Sequence, residues 1–88
     1  MITGPQCRAA RALVEFSRDR LAQLSGIDTA TIEQFERKLG KPADEQIKAL
    51  ADALEKAGAL FIPENGGGAG VRLKFNRSET RRIANLEN

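Results

Sequence analysis

LAQLSGIDTATIEQFE, residues 21–36, carries helical spacing on both sides of a break. Leu21, Ala22 and Leu24 fall within one helical turn, and Ile32 and Phe35 lie three apart on one face of another. Between them, Ser25-Gly26-Ile27-Asp28 has the chemistry of a stop and a restart. Glycine takes the left-handed conformation that closes a helix, and aspartate caps the first amides of the next. Two short helices joined by a turn of three or four residues hold the second helix away from the body. The other residue types suit this geometry. Ala22 is small where the helices approach, Ile27 fills the space beneath the turn, Leu21 anchors the first helix, and Ile32 with Phe35 docks the second.

Working outward, Thr3 is an N-cap candidate and Gly4-Pro5 opens a helix over about residues 5–15. Its apolar positions are Cys7, Ala10, Leu13 and Val14, with Arg8 and Glu15 on the opposite face. Ser17 caps the second helix, residues 18–25, and Asp28 the third, residues 29–38. Leu39-Gly40-Lys41-Pro42 is a break. A fourth helix follows over residues 43–57, with Ile47, Leu50, Ala51 and Leu54 at amphipathic spacing and Gly58 as its stop. The period then changes. Ala59-Leu60-Phe61-Ile62 and the alternating Val71-Arg72-Leu73-Lys74-Phe75 flank a glycine-rich loop and predict a β-hairpin. The expected fold is mainly α, four helices with a C-terminal two-stranded hairpin. Residues 1–58 form the helical domain, 59–75 a hairpin extension and candidate dimerisation element, and 76–88 a polar basic tail in which Ser78 can cap a short helix bearing Ile83 and Leu86.

Composition narrows the function. The chain has 88 residues, 30% charged and 41% hydrophobic, enough for one small domain. It has no histidine and one cysteine, Cys7, which excludes an internal disulfide, a Cys/His zinc site and a histidine-based triad. No nucleophile–base pair or metal cluster is visible, so neither an enzyme nor a cofactor or metal is expected. With four Phe and no Trp or Tyr, stacking of bases on aromatic platforms is not a theme. The glycine loop lacks a following Gly-Lys-Ser/Thr and a helix N-terminus, and reads as a linker rather than a phosphate cradle. No apolar run nears the ~20 residues of a membrane span, and the N-terminus lacks a signal-peptide core. A cytoplasmic location and no membrane partner are expected. Charge is uneven: +2 over residues 1–41, −3 over 42–70 and +3 over 71–88. That layout suits a molecule that turns one side toward a polyanion.

The run Ser17-Arg18-x-x-Leu21-Ala22-x-x-x-Gly26-Ile27-x-x-x-x-Ile32-x-x-Phe35-Glu36 resembles the Cro/repressor-type helix-turn-helix of the XRE family of transcriptional regulators. The match reaches back to Arg11 and forward through Ile47–Leu54, covering about residues 5–57. The resemblance implies a lambda-repressor-like domain of a bacterial- or phage-type regulator, with double-stranded DNA as partner. The segment from Leu60 to Phe75 is an addition to the minimal domain. Two positions depart from the pattern: Ser25 precedes the glycine, and Arg18 stands where the family often has a phosphate-holding glutamine. The resemblance also implies an ion pair between Arg11 and Glu36, and it points to Asp28, Thr29, Ala30 and Gln34 as facing base edges.

The chemistry of these residues fits that role. Gln34 can pair bidentately with adenine, and Thr29 and Ala30 can meet a thymine methyl. Asp28 can accept from cytosine or, as an N-cap, be engaged by its own helix. Phosphate contacts are expected from Ser17, Arg18, Arg37, Lys38 and Lys41, with Arg8 as a further candidate. Glu33 is the awkward residue, because phosphates repel it; it must lie along the groove, pair with Arg37 or read a cytosine. Such domains read two half-sites as dimers. A homodimer interface is expected on the hairpin, with Val71, Leu73 and Phe75 as one apolar face and Leu60 and Ile62 as a second row beside it; the plainer expectation is that the hairpin only covers its own core. The functional expectation is a sequence-specific duplex-DNA regulator reading the major groove with residues 29–38, nucleoid-associated and with no small-molecule ligand. The alternative is a protein-interaction module of the same fold, antitoxin-like or polymerase-associated, using the acidic helix 43–57 and the hairpin.

Overall fold

In the computed structural model, which describes residues 1–74, four helices precede a two-stranded sheet: α1 (Gly4–Val14), α2 (Arg18–Ser25), α3 (Thr29–Glu36), α4 (Asp44–Lys56), β1 (Ala59–Ile62) and β2 (Gly70–Leu73). Phe75 and the tail 76–88, with Ser78, Ile83 and Leu86, lie outside the described residues.

Helix starts follow local chemistry. Thr3 Oγ1 accepts from the Gln6 N–H at 3.2 Å and Gln6 Oε1 accepts from the Thr3 N–H at 2.9 Å, a reciprocal cap on α1. Ser17 Oγ accepts from the Arg20 N–H at 3.0 Å at the start of α2. Asp28 Oδ1 accepts from the Thr31 N–H at 2.7 Å at the start of α3. Ala43 offers no side-chain cap to α4; Gln46 Oε1 instead accepts from the Ala43 N–H at 3.0 Å, and Asp44 and Glu45 complement the helix dipole.

Helix ends differ more from expectation. Gly26 closes α2 at φ 77°, the left-handed conformation its position requires. The third helix ends at Glu36, two residues before the boundary expected from sequence. The reversal takes place at Lys38, with φ 61°, and the Leu39 N–H donates to the Gln34 carbonyl at 2.8 Å. The expected break at Leu39-Gly40-Lys41-Pro42 lies within the non-helical segment between α3 and α4, which opens earlier, at Arg37.

The core is built from Cys7, Ala10, Leu21, Ile32, Phe35, Ile47, Leu50, Ala53, Leu54 and Ala59. Helix α1 packs on α3 and α4, and α2 packs on α3 and α4. Two apolar expectations are corrected. Leu13 is 41% exposed, so the buried arc of α1 is Gln6, Cys7 and Ala10. In α4 the buried alanine is Ala53, and Ala51 is half-buried.

The hairpin is antiparallel, pairing Ala59 with Leu73, Leu60 with Arg72, Phe61 with Val71 and Ile62 with Gly70. Directly paired residues share a face, so Ala59, Phe61, Val71 and Leu73 lie on one side and Leu60, Ile62 and Arg72 on the other. Phe61 and Val71 pack against the helical core. The expected apolar interface is thus divided: Val71 and Leu73 share the face that covers the helices, while Leu60 and Ile62 lie on the opposite one. Side-chain alternation along a strand is legible in sequence; which residue of the partner strand stands opposite is not.

Gln6 ties the hairpin to α1. Its Nε2 donates to the Ile62 carbonyl at 3.2 Å and the Gly70 carbonyl at 2.9 Å. The loop between the strands is held from within, with Glu64 Oε1 accepting from the Gly66 N–H at 2.8 Å and the Gly68 N–H at 3.0 Å. These bonds hold the Glu64 carboxyl below its ordinary value and occupy amides that a phosphate cradle would need.

Candidate nucleic-acid interface

Helix α3 is docked by one face. Ile32, Phe35 and Glu36 are buried, Ala30, Gln34 and Arg37 are exposed, and Thr29 and Glu33 are intermediate. Lys38 and Lys41, both exposed, follow in the turn after the helix. Gln34 and Lys41 are brought together: with Thr31, Gly40 and Pro42 they line a shallow depression of about 180 Å³. Ser17 and Arg18 sit at the start of α2, where unpaired amides and the positive end of the helix dipole favour an anion.

Glu33 pairs with Arg37, Nη1 to Oε1 at 3.2 Å across one helical turn. The pair is well exposed, so it contributes little to stability, but it offsets the negative charge on the outer face of α3. Asp28 caps the helix with Oδ1, and the Thr31 hydrogen bonds hold its carboxyl below the usual range.

Behind α3 lies a compact charged cluster. The Glu36 side chain is fully buried and forms a two-point ion pair with Arg11: Nε to Oε2 at 2.7 Å and Nη2 to Oε1 at 2.8 Å. Arg11 Nη1 donates to the Phe16 carbonyl at 3.0 Å, between α1 and α2. Arg18 Nε also donates to Glu36 Oε1, at 3.1 Å. Cys7 lies against Glu36 Oε2, with Sγ at 3.5 Å. Burial by itself raises the Glu36 carboxyl; the hydrogen bonds of Arg11 and Arg18 and the charge of Arg11 outweigh it and hold the group ionised, below its ordinary value. Burial, then the Glu36 charge, pushes the Cys7 thiol up to about 12, so it stays protonated. No buried side-chain polar atom among the described residues lacks a partner.

Sequence reasoning missed three structural residues. Gln6, to which the sequence assigned no role, is 8% exposed and holds both strands. Gly4 reads as a helix opener, yet α1 and α3 touch there: a Cβ on Gly4 would lie 1.9 Å from the Phe35 carbonyl oxygen. Arg18, expected as a phosphate contact, is also bound to Glu36, a partner the sequence did not suggest. Only Gln6 left a local signal, its spacing three residues after Thr3.

Among the described residues, no group of three or more His, Cys, Asp or Glu side chains is placed to hold a metal, and no helix is long and apolar enough to cross a membrane. A search of curated proteins gives no match. A family model described as helix-turn-helix matches residues 8–61, from within α1 into β1. Four helices in this order, an outward-facing α3 and the match over most of the chain agree: the chain belongs to the DNA-binding helix-turn-helix family of Cro/repressor (XRE) type.

Proposed function

We propose that this protein is a sequence-specific regulator of transcription, cytoplasmic and nucleoid-associated, that lays α3 in the major groove of duplex DNA. The observation that carries this reading is the division of α3 into a face that is wholly buried and a face, with Ala30 and Gln34, that nothing in the described chain covers. Gln34 reads an adenine edge, and Thr29 and Ala30 meet thymine methyls. Asp28, with Oδ1 engaged by its cap, offers only Oδ2 to a cytosine amino group. Ser17, Arg18, Arg37, Lys38 and Lys41 surround this face and hold phosphates, which position without specifying. No chemical step is assigned to the chain.

Two copies read two half-sites. The face they share is the outer side of the hairpin, Leu60 and Ile62, half-buried in the single chain and on the side away from the helices. Val71 and Leu73 contribute by holding the hairpin in place, and Phe75 of the expected interface lies outside the described residues.

The test is a duplex selected from a random pool, titrated by fluorescence anisotropy over a range of salt. Log affinity falls linearly with log salt by about 0.9 per phosphate neutralised. Gln34→Ala relaxes preference at one base pair by about 1–3 kcal/mol, and Lys41→Ala weakens all duplexes alike. Absent or salt-independent binding favours the second reading, a protein-interaction module. Glu33 on the outer face of α3 and the apolar pair Leu60 and Ile62 are the observations on its side.

A further inference from the structure

We infer that Arg18 is a positioning residue: one guanidinium holds a DNA phosphate and the end of the recognition helix together, so that backbone contact sets where α3 lies in the groove. The inference rests on the reading of α3 as the DNA-reading helix. It starts from a division of donors. Arg11 directs Nε and Nη2 to Glu36 and Nη1 to the Phe16 carbonyl, and its side chain is 15% exposed. Arg18 gives Glu36 only Nε, and its side chain is 34% exposed. Its Nη1 and Nη2 make no hydrogen bond among the described residues.

Charge points the same way. Glu36 carries one negative charge and already has a two-point partner in Arg11. A second guanidinium leaves the cluster with a net positive charge. That charge sits on the first residue of α2, directly after the Ser17 cap. The free edge of Arg18 presents two terminal nitrogens, a fork that matches two phosphate oxygens. Glu36 is the last residue of α3, and its carboxylate is fully buried and held from two other helices. A phosphate seated on Arg18 is therefore linked through one planar group to the C-terminal end of α3. A glutamine at this position can hold a phosphate but brings no charge for Glu36. A lysine is a single charged point and cannot serve both partners with fixed geometry.

The experiment uses the full chain, the selected duplex and the same duplex with the preferred base pairs replaced. Wild type, Arg18→Lys and Arg18→Gln are titrated across salt, each checked for folding by circular dichroism. Arg18→Lys keeps the charge, so its salt slope stays within error of wild type, while the ratio of affinities for the two duplexes falls about tenfold because α3 loses its fixed register. Arg18→Gln loses about one phosphate from the slope as well. In ¹⁵N spectra of the wild-type complex, the Arg18 Nε–H stays protected, while its Nη signals shift when duplex is added. An unchanged affinity ratio in Arg18→Lys makes Arg18 a simple charge and overturns the coupling while leaving DNA reading intact. Loss of Nε–H protection on binding overturns it too, since the guanidinium then leaves Glu36 to reach the phosphate. A wild-type protein without salt-dependent duplex binding removes the DNA reading and the coupling with it.

Discussion

Replacing Gly4 by alanine tests the packing that sets α3. Helix propensity predicts a gain: Gly4 opens α1, its φ is not left-handed, and Gly→Ala at a compatible site stabilises by about 0.4–1 kcal/mol through the unfolded chain. The structure predicts the opposite sign. The new Cβ would stand 1.9 Å from the Phe35 carbonyl oxygen, 2.8 Å from its carbonyl carbon and 3.1 Å from Glu36 Cα. All three are backbone atoms, so no side chain can swing aside. Merely reaching 3.0 Å from the oxygen requires α1 and the end of α3 to part by about 1.1 Å. That movement pulls on the Arg11–Glu36 ion pair at 2.7 Å and on the Gln6 bonds to the hairpin. Overpacking costs about 1–3 kcal/mol, and a backbone clash belongs at the upper end. Net of the entropic gain, Gly4→Ala loses about 2 kcal/mol, a fall in Tm of about 10 °C for a domain of this size. Urea and thermal unfolding followed by circular dichroism read this directly. Gly40→Ala is the control, since its Cβ would meet nothing closer than the Gln34 side chain at 3.5 Å. A Gly4→Ala protein as stable as wild type, with Gly40→Ala unchanged, refutes the close approach of α1 and α3.

Glu36→Gln keeps the shape of the cluster and removes its charge; unfolding in urea at pH 7 is expected to show a loss of about 2 kcal/mol. Because the folded-state carboxyl lies below its ordinary value, the Glu36 contribution is complete above pH ~4.3 and is lost as pH falls through the folded value. A wild-type stability that drops on acidification, with a flatter acid limb in Glu36→Gln, is the signature. The Cys7 thiol, pushed up to about 12 and fully buried, is expected to react with an aromatic disulfide reagent only as fast as the protein opens, so added urea accelerates labelling. Asp28→Ala removes the cap on α3, and amide hydrogen exchange at Thr31 is expected to quicken. If two copies share the outer hairpin face as proposed, wild type sediments as a dimer at equilibrium and Leu60→Lys with Ile62→Lys, which leaves the inner hairpin face intact, as a monomer.

The parts of this fold legible in the sequence are those fixed by single backbone events. Ser17, Asp28 and Gly26 each satisfy or reverse the chain within three residues, so their residue types announce helix starts and a stop without tertiary information. Helix faces were less legible. Over the short α2 and α1, several arcs are apolar, and only the packing decides that Leu21 and Ala10 are buried while Leu24 is 47% and Leu13 41% exposed. The hairpin shows the same limit, because alternation within each strand leaves the register open. The close approach at Gly4 and the tie from Gln6 to the hairpin were illegible for a stronger reason: their partners, the Phe35 backbone and the Ile62 and Gly70 carbonyls, are distant in sequence and carry no side-chain signal.

The site divides along the same line. Ala30 and Gln34 stand on the outer side of α3 because Ile32 and Phe35 take the inner one, an inference that needs only helical period, while Thr29 in the first turn is half-buried at its edge. The support behind α3 needs three helices at once. Arg11, Arg18 and Glu36 lie on α1, α2 and α3, and nothing local in the sequence shows that two arginines converge on one carboxylate. Their convergence matters physically because a buried carboxylate with one partner is neutralised, whereas with two it leaves a positive charge beside the start of α2. On the proposed reading, the placement of α3 and the charge offered to a DNA backbone are then properties of the same cluster. Perturbing Glu36 is therefore expected to alter stability and salt-dependent binding together, whereas perturbing Lys41, exposed in the turn after α3, alters binding alone.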